Sequence, residues 1–211
     1  PQSVPQMAPQ VMAEFKQSQP LLVSVVAGLT CSDLAHFFGK KLGIVRAMPN
    51  TPALLGAGAT GLFANEAVSL QHKDMVEALM RSVGLAIWVK KEPLIDVVAS
   101  LAGCGPAYFF MFMELLQNTA QKMGLDEKSA KVLTIQTALG ASKMTLETQD
   151  SLAVLRQKVT SKGGMTEAAL HSFAKADLGR IVEEAMSQAM EKGLDLSKRY
   201  GSEKYIGVDS K

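Results

Sequence analysis

The chain is poor in the groups that usually announce chemistry. Only two cysteines, Cys31 and Cys104, occur in 211 residues. They offer neither a disulfide framework nor zinc-type spacing, which suits a reducing compartment and sets the expected location as cytoplasmic. The three histidines, His36, His72 and His171, are scattered through helical patterns without metal-ligand spacing, so surface positions and no metal site are expected. Charge of one sign is also missing. Twenty-two Lys and Arg against 20 Asp and Glu leave a formal charge of +2, with no electrostatic footprint for nucleic acid or an anionic membrane. The strongest apolar run, near Ala107–Met113, is too short to span a bilayer and is closed by Glu114. No signal-peptide pattern, nucleophile elbow or phosphate-binding P-loop is visible.

What is present is an ordinary globular composition, 47% hydrophobic and 20% charged, at a length that fits one large or two small domains. The first part reads as α/β. A helical pattern over about Met7–Lys16 precedes Leu21–Gly28, a β-branched, almost wholly apolar run of the kind that forms a strand buried on both faces. Thr30-Cys31-Ser32-Asp33 resembles a capping box with Asp33 in the place of the usual Glu or Gln, and predicts a helix to Phe38 that stops at Gly39. Strands are predicted at Gly43–Met48, Thr60–Ala64 and Ala86–Val89, with a helix near Leu70–Val83. Pro49 and Pro52 stiffen the turn after the first of these and argue against a helix across it. This alternation points to a doubly wound, mostly parallel sheet, whose ligands bind beyond the carboxyl ends of the strands. The turns after Ala27 and Met48 are the contact points that rule suggests.

From about Glu92 the pattern is helical to the end. Gly105-Pro106 opens a helix apolar on nearly every face, which must be covered all round. A second subunit is expected to supply part of that cover. Small residues along Glu127–Leu146 and a stripe of Ile181, Val182, Ala185, Met186, Ala189 and Met190 read as core or interface filling, and a loosely held polar tail is expected beyond Ser197. Gly103-Cys104-Gly105 could host a reactive thiol at a helix start, but no histidine neighbours it in sequence, and that reading is disfavoured. Gly56-Ala57-Gly58-Ala59-Thr60-Gly61 imitates a dinucleotide fingerprint but precedes a strand instead of opening a helix, and is rejected as one.

The stretch with most chemical promise is Val159-Thr160-Ser161-Lys162-Gly163-Gly164-Met165-Thr166. Hydroxyls at Thr160 and Ser161 could cap a helix beginning near Thr166, and two glycines let a ligand approach the backbone. The positive end of that helix would suit a small anion such as a carboxylate. An ordinary glycine-containing loop between helices is the competing reading.

Three segments together resemble the pyrroline-5-carboxylate reductase family. They are Met48-Pro49-Asn50-Thr51-Pro52 with the Gly-Ala-Gly-Ala-Thr-Gly run after it, Gly103-Cys104-Gly105-Pro106-Ala107-Tyr108-Phe109-Phe110, and the Val159–Thr166 stretch. They occur in the family's order and spacing, and alignable sequence runs from residue 1 to about Leu196. The resemblance implies hydride transfer from NADPH or NADH to the cyclic imine 1-pyrroline-5-carboxylate, giving L-proline in the last step of its biosynthesis. It also implies a homodimer through the helical domain, often built into a larger ring. By the same resemblance, Ser161, Gly163, Gly164, Met165 and Thr166 bind substrate, with the Thr166 hydroxyl on the ring nitrogen. Ala27, Gly28, Met48, Pro49 and Asn50 lie toward the nicotinamide. The expected organisation is residues 1–91 as the C-terminal part of a Rossmann-type nucleotide domain, 92–197 as a helical dimerisation and substrate domain, and 198–211 as the tail.

The chain departs from the family's pattern at Ala102 and Cys104, where hydroxyl residues are usual, and at Lys162, where proline is common. The family's opening strand, Gly-rich turn and helix do not occur in this sequence, so this 211-residue species is expected to be a poor reductase. Two further functions fit the pattern: a related imine or keto-acid reductase, and a non-catalytic helical oligomerisation module.

Overall fold

A computed structural model describes residues 1–14 and 20–202. The end of the first predicted helix, at Phe15 and Lys16, and residues 203–211 of the predicted tail lie outside the described residues. Two compact units are formed: Pro1–Pro106 with Ala185–Lys211, and Ala107–Glu184.

The first unit is built on four strands, β1 (Leu22–Ser24), β2 (Ile44–Met48), β3 (Gly58–Ala64) and β4 (Gly84–Trp88), in that spatial order. Pairings β1–β2 and β3–β4 are parallel as expected, whereas β2–β3 is antiparallel. The reason is the connection. Only Pro49–Ala57 separates the two strands, too few residues for the crossover that a parallel pair needs. That connection contains a one-turn 3₁₀ helix, Thr51–Leu55, against the expectation of no helix there. Pro52 sits in its first turn, where a missing N–H costs nothing.

β2, and not the apolar run before Gly28, is the strand buried along its whole length. Its side chains alternate between two cores. Ile44 joins Val4 and Ala8 of α1 (Val4–Glu14), Leu29 of the turn before α2 (Cys31–Phe38), and Leu34 and Phe38 of α2, while Val45 and Ala47 join Leu62, Val76 and Ala86 under α3 (Leu70–Arg81). The capping box opens α2 as expected: the Asp33 N–H donates to the Thr30 hydroxyl at 3.1 Å and the Thr30 N–H to the Asp33 carboxylate at 2.9 Å. Burial alone would raise the Asp33 pKa. Hydrogen bonds from Ser202 and Thr30 outweigh it and hold the carboxyl below its ordinary range.

Arg46 is the exception on β2. Only 2% exposed, it donates from Nη1 to Glu92 at 3.0 Å and from Nη2 to Asp96 at 3.1 Å. These pairs pin the start of α4 (Leu94–Val98) across the sheet. Val98 then packs on Gly61, where an added Cβ would lie 2.8 Å from its Cγ1. The chain continues as a π-helical turn, Ala99–Gly103, into α5 (Gly105–Lys122). Sequence character changes at residue 92, but the compact unit runs to Pro106 because these contacts hold the intervening segment to the sheet.

The remaining helices are α6 (Glu127–Leu146), α7 (Leu152–Lys158), α8 (Met165–Lys175) and α9 (Leu178–Tyr200). Within the second unit Phe112 of α5 meets Phe173 of α8, with ring centroids 6.1 Å apart. Its apolar surface is largely uncovered in a single chain. Phe109 is 67% exposed and Phe110 65%, as the sequence pattern of α5 requires if a second chain covers it. The last turn of α9 contradicts the expected loose tail. Residues 198–200 are helical, and the buried Ser202 donates its N–H and hydroxyl to Asp33 at 2.7 and 2.8 Å.

Two outcomes follow from this arrangement. Arg46→Ala leaves Glu92 and Asp96 facing a buried gap and should cost about 3 kcal/mol. Arg180→Ala, which breaks an exposed pair with Glu184, should cost less than about 1 kcal/mol. Urea denaturation of both variants at one protein concentration measures the contrast. Burial and the neighbouring Glu92 carboxylate push the Cys31 thiol up to about 12. Alkylation requires the thiolate, so at pH 8 iodoacetamide should label Cys31 only at the rate at which the protein unfolds.

Candidate active site

The loop before α8 is organised differently from the capping that the sequence suggested. Thr160 does not cap the helix; its hydroxyl donates backward to the Arg156 carbonyl at 2.6 Å. The N-cap is Gly164, which has no side chain to offer. Glu167 turns back instead and accepts the Gly163 N–H at 2.7 Å, while the Gly164 N–H donates to the Ser161 carbonyl at 3.0 Å. Gly163 adopts φ +72° to make this turn.

These bonds decide which donors remain. The N–H groups of Gly163 and Gly164 are committed within the loop. Those of Met165, Thr166 and Glu167, the first three of α8, have no partner among the described residues. Thr166 is exposed, and its hydroxyl is likewise unpartnered among the described residues. The result is three backbone donors and one hydroxyl at the positive end of an 11-residue helix, an arrangement that can hold a carboxylate and offer a hydrogen bond beside it. Glu167 was not anticipated. Its signal was readable, since a glutamate three residues after an N-cap is placed to reach back past the helix start; here it reaches Gly163, one residue before the N-cap. Arg156 and Lys162 line the same 550 Å³ cleft as Glu167.

The residues assigned to the cofactor side belong to the other unit. Ala27 and Gly28 follow β1, and Gly28 has φ +80°. A Cβ on Gly28 would lie 2.9 Å from Leu196 Cβ and 3.1 Å from the Gly193 carbonyl oxygen. Gly28 is therefore required for the docking of α9, and its backbone is buried beneath that helix instead of lying open. Met48 ends β2 and is 7% exposed. Asn50 accepts the Ala59 N–H at 2.9 Å and donates to the Ala102 carbonyl at 3.0 Å, so its side chain braces the turn. The structure thus gathers Met48, Pro49 and Asn50 at one turn, and Ser161 to Thr166 at another. Among the described residues no group of three or more His, Cys, Asp and Glu could hold a metal ion.

Residues 92–196 match the family model described as pyrroline-5-carboxylate reductase dimerisation. A pyrroline-5-carboxylate reductase of Pseudomonas aeruginosa is 41% identical over 192 residues, covering 91% of this chain and 70% of that protein. The chain belongs to the pyrroline-5-carboxylate reductase family. Its members are oxidoreductases that reduce a five-membered cyclic imine acid to L-proline. Solved structures agree. A pyrroline-5-carboxylate reductase from Coxiella burnetii superposes with a TM-score of 0.87 at 42% identity, covering 93% of this chain and 73% of that one. The pyrroline carboxylate reductase of Plasmodium falciparum, solved with NADP bound, gives 0.82 at 31% identity, over 92% of this chain and 74% of that one.

The dimerisation match also accounts for the apolar surface of the second unit. It contains the whole of Leu94–Lys122, the one helical stretch among the described residues long and apolar enough to cross a membrane by length and composition. In a pyrroline-5-carboxylate reductase that stretch lies in the segment through which two chains pair.

The loop geometry has a direct test. A Cβ on Gly163 would meet no atom within 4 Å, so Gly163→Ala pays only for the left-handed backbone. It should lower stability by about 1–2 kcal/mol, and should weaken L-proline binding, measured by calorimetry, because the donors of α8 are no longer held in register.

Proposed function

We propose that this chain carries the imine-acid site of a 1-pyrroline-5-carboxylate reductase at the start of α8. The observation that supports this reading is the set of free N–H groups on Met165, Thr166 and Glu167 beside the free Thr166 hydroxyl. The substrate carboxylate accepts from those N–H groups, in the field of the helix. Ser161, Gly163 and Gly164 shape the seat, Gly163 and Gly164 through the hydrogen bonds they make within the loop. The Thr166 hydroxyl hydrogen-bonds the ring nitrogen, which must carry a proton when the adjacent carbon becomes tetrahedral. Orientation of the imine, not covalent attack by the protein, is the source of rate.

Bound NADPH or NADH supplies the hydride. The turn after β2 suits the nicotinamide end. Met48 and Pro49 are uncharged, and the one charged residue of β2, Arg46, is neutralised by Glu92 and Asp96. Ala27 contributes from the neighbouring turn, with Gly28 beneath it holding α9. The run Gly56–Gly61 leads into β3 and holds no pyrophosphate in this reading. The cytoplasm is the proposed location, supported by two cysteines that are both free. Association of dimers into a ring belongs to the same proposal, supported by the exposure of Leu139, Leu152 and Ile181 on three different helices of the second unit.

The decisive variants are Thr166→Ala and Thr166→Ser in the full-length enzyme. Alanine should lower kcat about a hundredfold with little change in KM for the imine, and serine should recover most of the loss. Unchanged turnover in the alanine variant would remove Thr166 from the mechanism.

A further inference from the structure

β2 is braced at both ends by an asparagine from outside the strand. At its amino end the Ile44 N–H donates to Asn65 Oδ1 at 3.1 Å, and Asn65 Nδ2 donates to the Leu42 carbonyl at 3.0 Å. At its carboxyl end Asn50 accepts the Ala59 N–H at 2.9 Å and donates to the Ala102 carbonyl at 3.0 Å. The two devices use the same chemistry, one acceptor and one donor of a primary amide, but they join different things. Asn65 ties adjacent segments of the sheet. Asn50 ties the turn after β2 and the first residues of β3 to the π-helical turn Ala99–Gly103, which is 52 residues away from it in sequence.

We propose that Asn50 is a positioning residue for the reduction: it fixes the Met48–Asn50 turn against Ala99–Gly103, so that the wall offered to the nicotinamide is set before the dinucleotide arrives. This rests on the reading above that the turn faces the nicotinamide. Each end of the carboxamide is already engaged within the protein, which suits it to a bracing role. A rigid attachment is also what this place needs. Antiparallel β2 and β3 leave the turn between them as a protruding loop, and its 3₁₀ helix carries Leu54 and Leu55, each 88% exposed. Ala53 rests against Gly58, and the two Asn50 hydrogen bonds hold the loop from its base. π-helical turns recur at functional sites, where they displace a carbonyl from its helical partner. Here the Ala102 carbonyl is the one that receives Asn50.

The test compares Asn50→Ala with Asn65→Ala in the full-length enzyme. Hydrogen exchange of the apo protein should show the Ala59 amide losing protection about tenfold or more in Asn50→Ala and remaining protected in Asn65→Ala. In steady state, Asn50→Ala should raise KM for the dinucleotide about tenfold, with KM for the imine changed less than about threefold, while Asn65→Ala leaves both near wild type. If alanine at position 50 prevents folding, Asn50→Asp keeps the acceptor for Ala59 and loses the donor to Ala102, and the same KM split is expected. Equal kinetic effects of the two asparagine variants would overturn the proposal, as would an Ala59 amide that stays protected in Asn50→Ala. A wild-type enzyme whose Met48 and Asn50 amides gain no protection on adding NADPH or NADH would overturn the underlying site assignment instead, whatever the variants do.

Discussion

The buried contact between Arg46 and the carboxylates of Glu92 and Asp96 is the constraint on which the first unit depends. A guanidinium 2% exposed in the middle of a central strand is tolerable only if its charge is matched on the spot. Two carboxylates match it, although its Nε is left without a partner among the described residues. The price is specificity of placement: the segment from Glu92 onward can sit in one register on the sheet. Glu92 has a second duty there. The same Oε1 accepts the Cys31 N–H at 2.6 Å, so one carboxylate ties the start of α2, the centre of β2 and the approach to α4 together.

From that register the rest of the unit follows. With α4 fixed, Val98 fills the space over Gly61, and the π-helical turn that comes next brings the Ala102 carbonyl to Asn50. The Met48–Asn50 turn is thereby held from the helix side as well as from its own strand. In the second unit the corresponding organiser is Glu167. By taking the Gly163 N–H it settles the left-handed glycine, and the N–H groups of Met165, Thr166 and Glu167 are the ones left free. In both places an acceptor side chain immobilises backbone next to the groups proposed to meet ligand, without being the contact itself.

Much of this was legible in sequence where local rules govern. The capping box of Thr30 and Asp33, the extent of the helix Glu127–Leu146 and the apolar excess of α5 were all readable from residue order, because each rests on neighbours within a turn or two. The antiparallel pairing of β2 and β3 was not, although the short connection held the clue. Nor was the use of Gly28, whose partner Leu196 is far along the chain, or of Asn50, whose polar ends could equally have been read as ligand contacts. The loop Ser161–Thr166 falls between. Its place at a helix start was foreseen; which of its donors are spent was not, since Thr160 bonds backward and Glu167 takes the Gly163 N–H.

The docking of α9 on Gly28, and of Ser202 on Asp33, joins positions 169 residues apart in the second case. The first unit is thus sewn shut by the last described residue of the chain. During synthesis its sheet can collapse early, but the surface around Gly28 and the Asp33 carboxylate stays uncovered until residues beyond Gly193 have left the ribosome. Closing so long a loop adds little entropic cost beyond that of a shorter one, yet it makes the finishing contact a late event. A nascent chain that has not reached those residues therefore carries the first unit unfinished, with the Asp33 carboxylate in water.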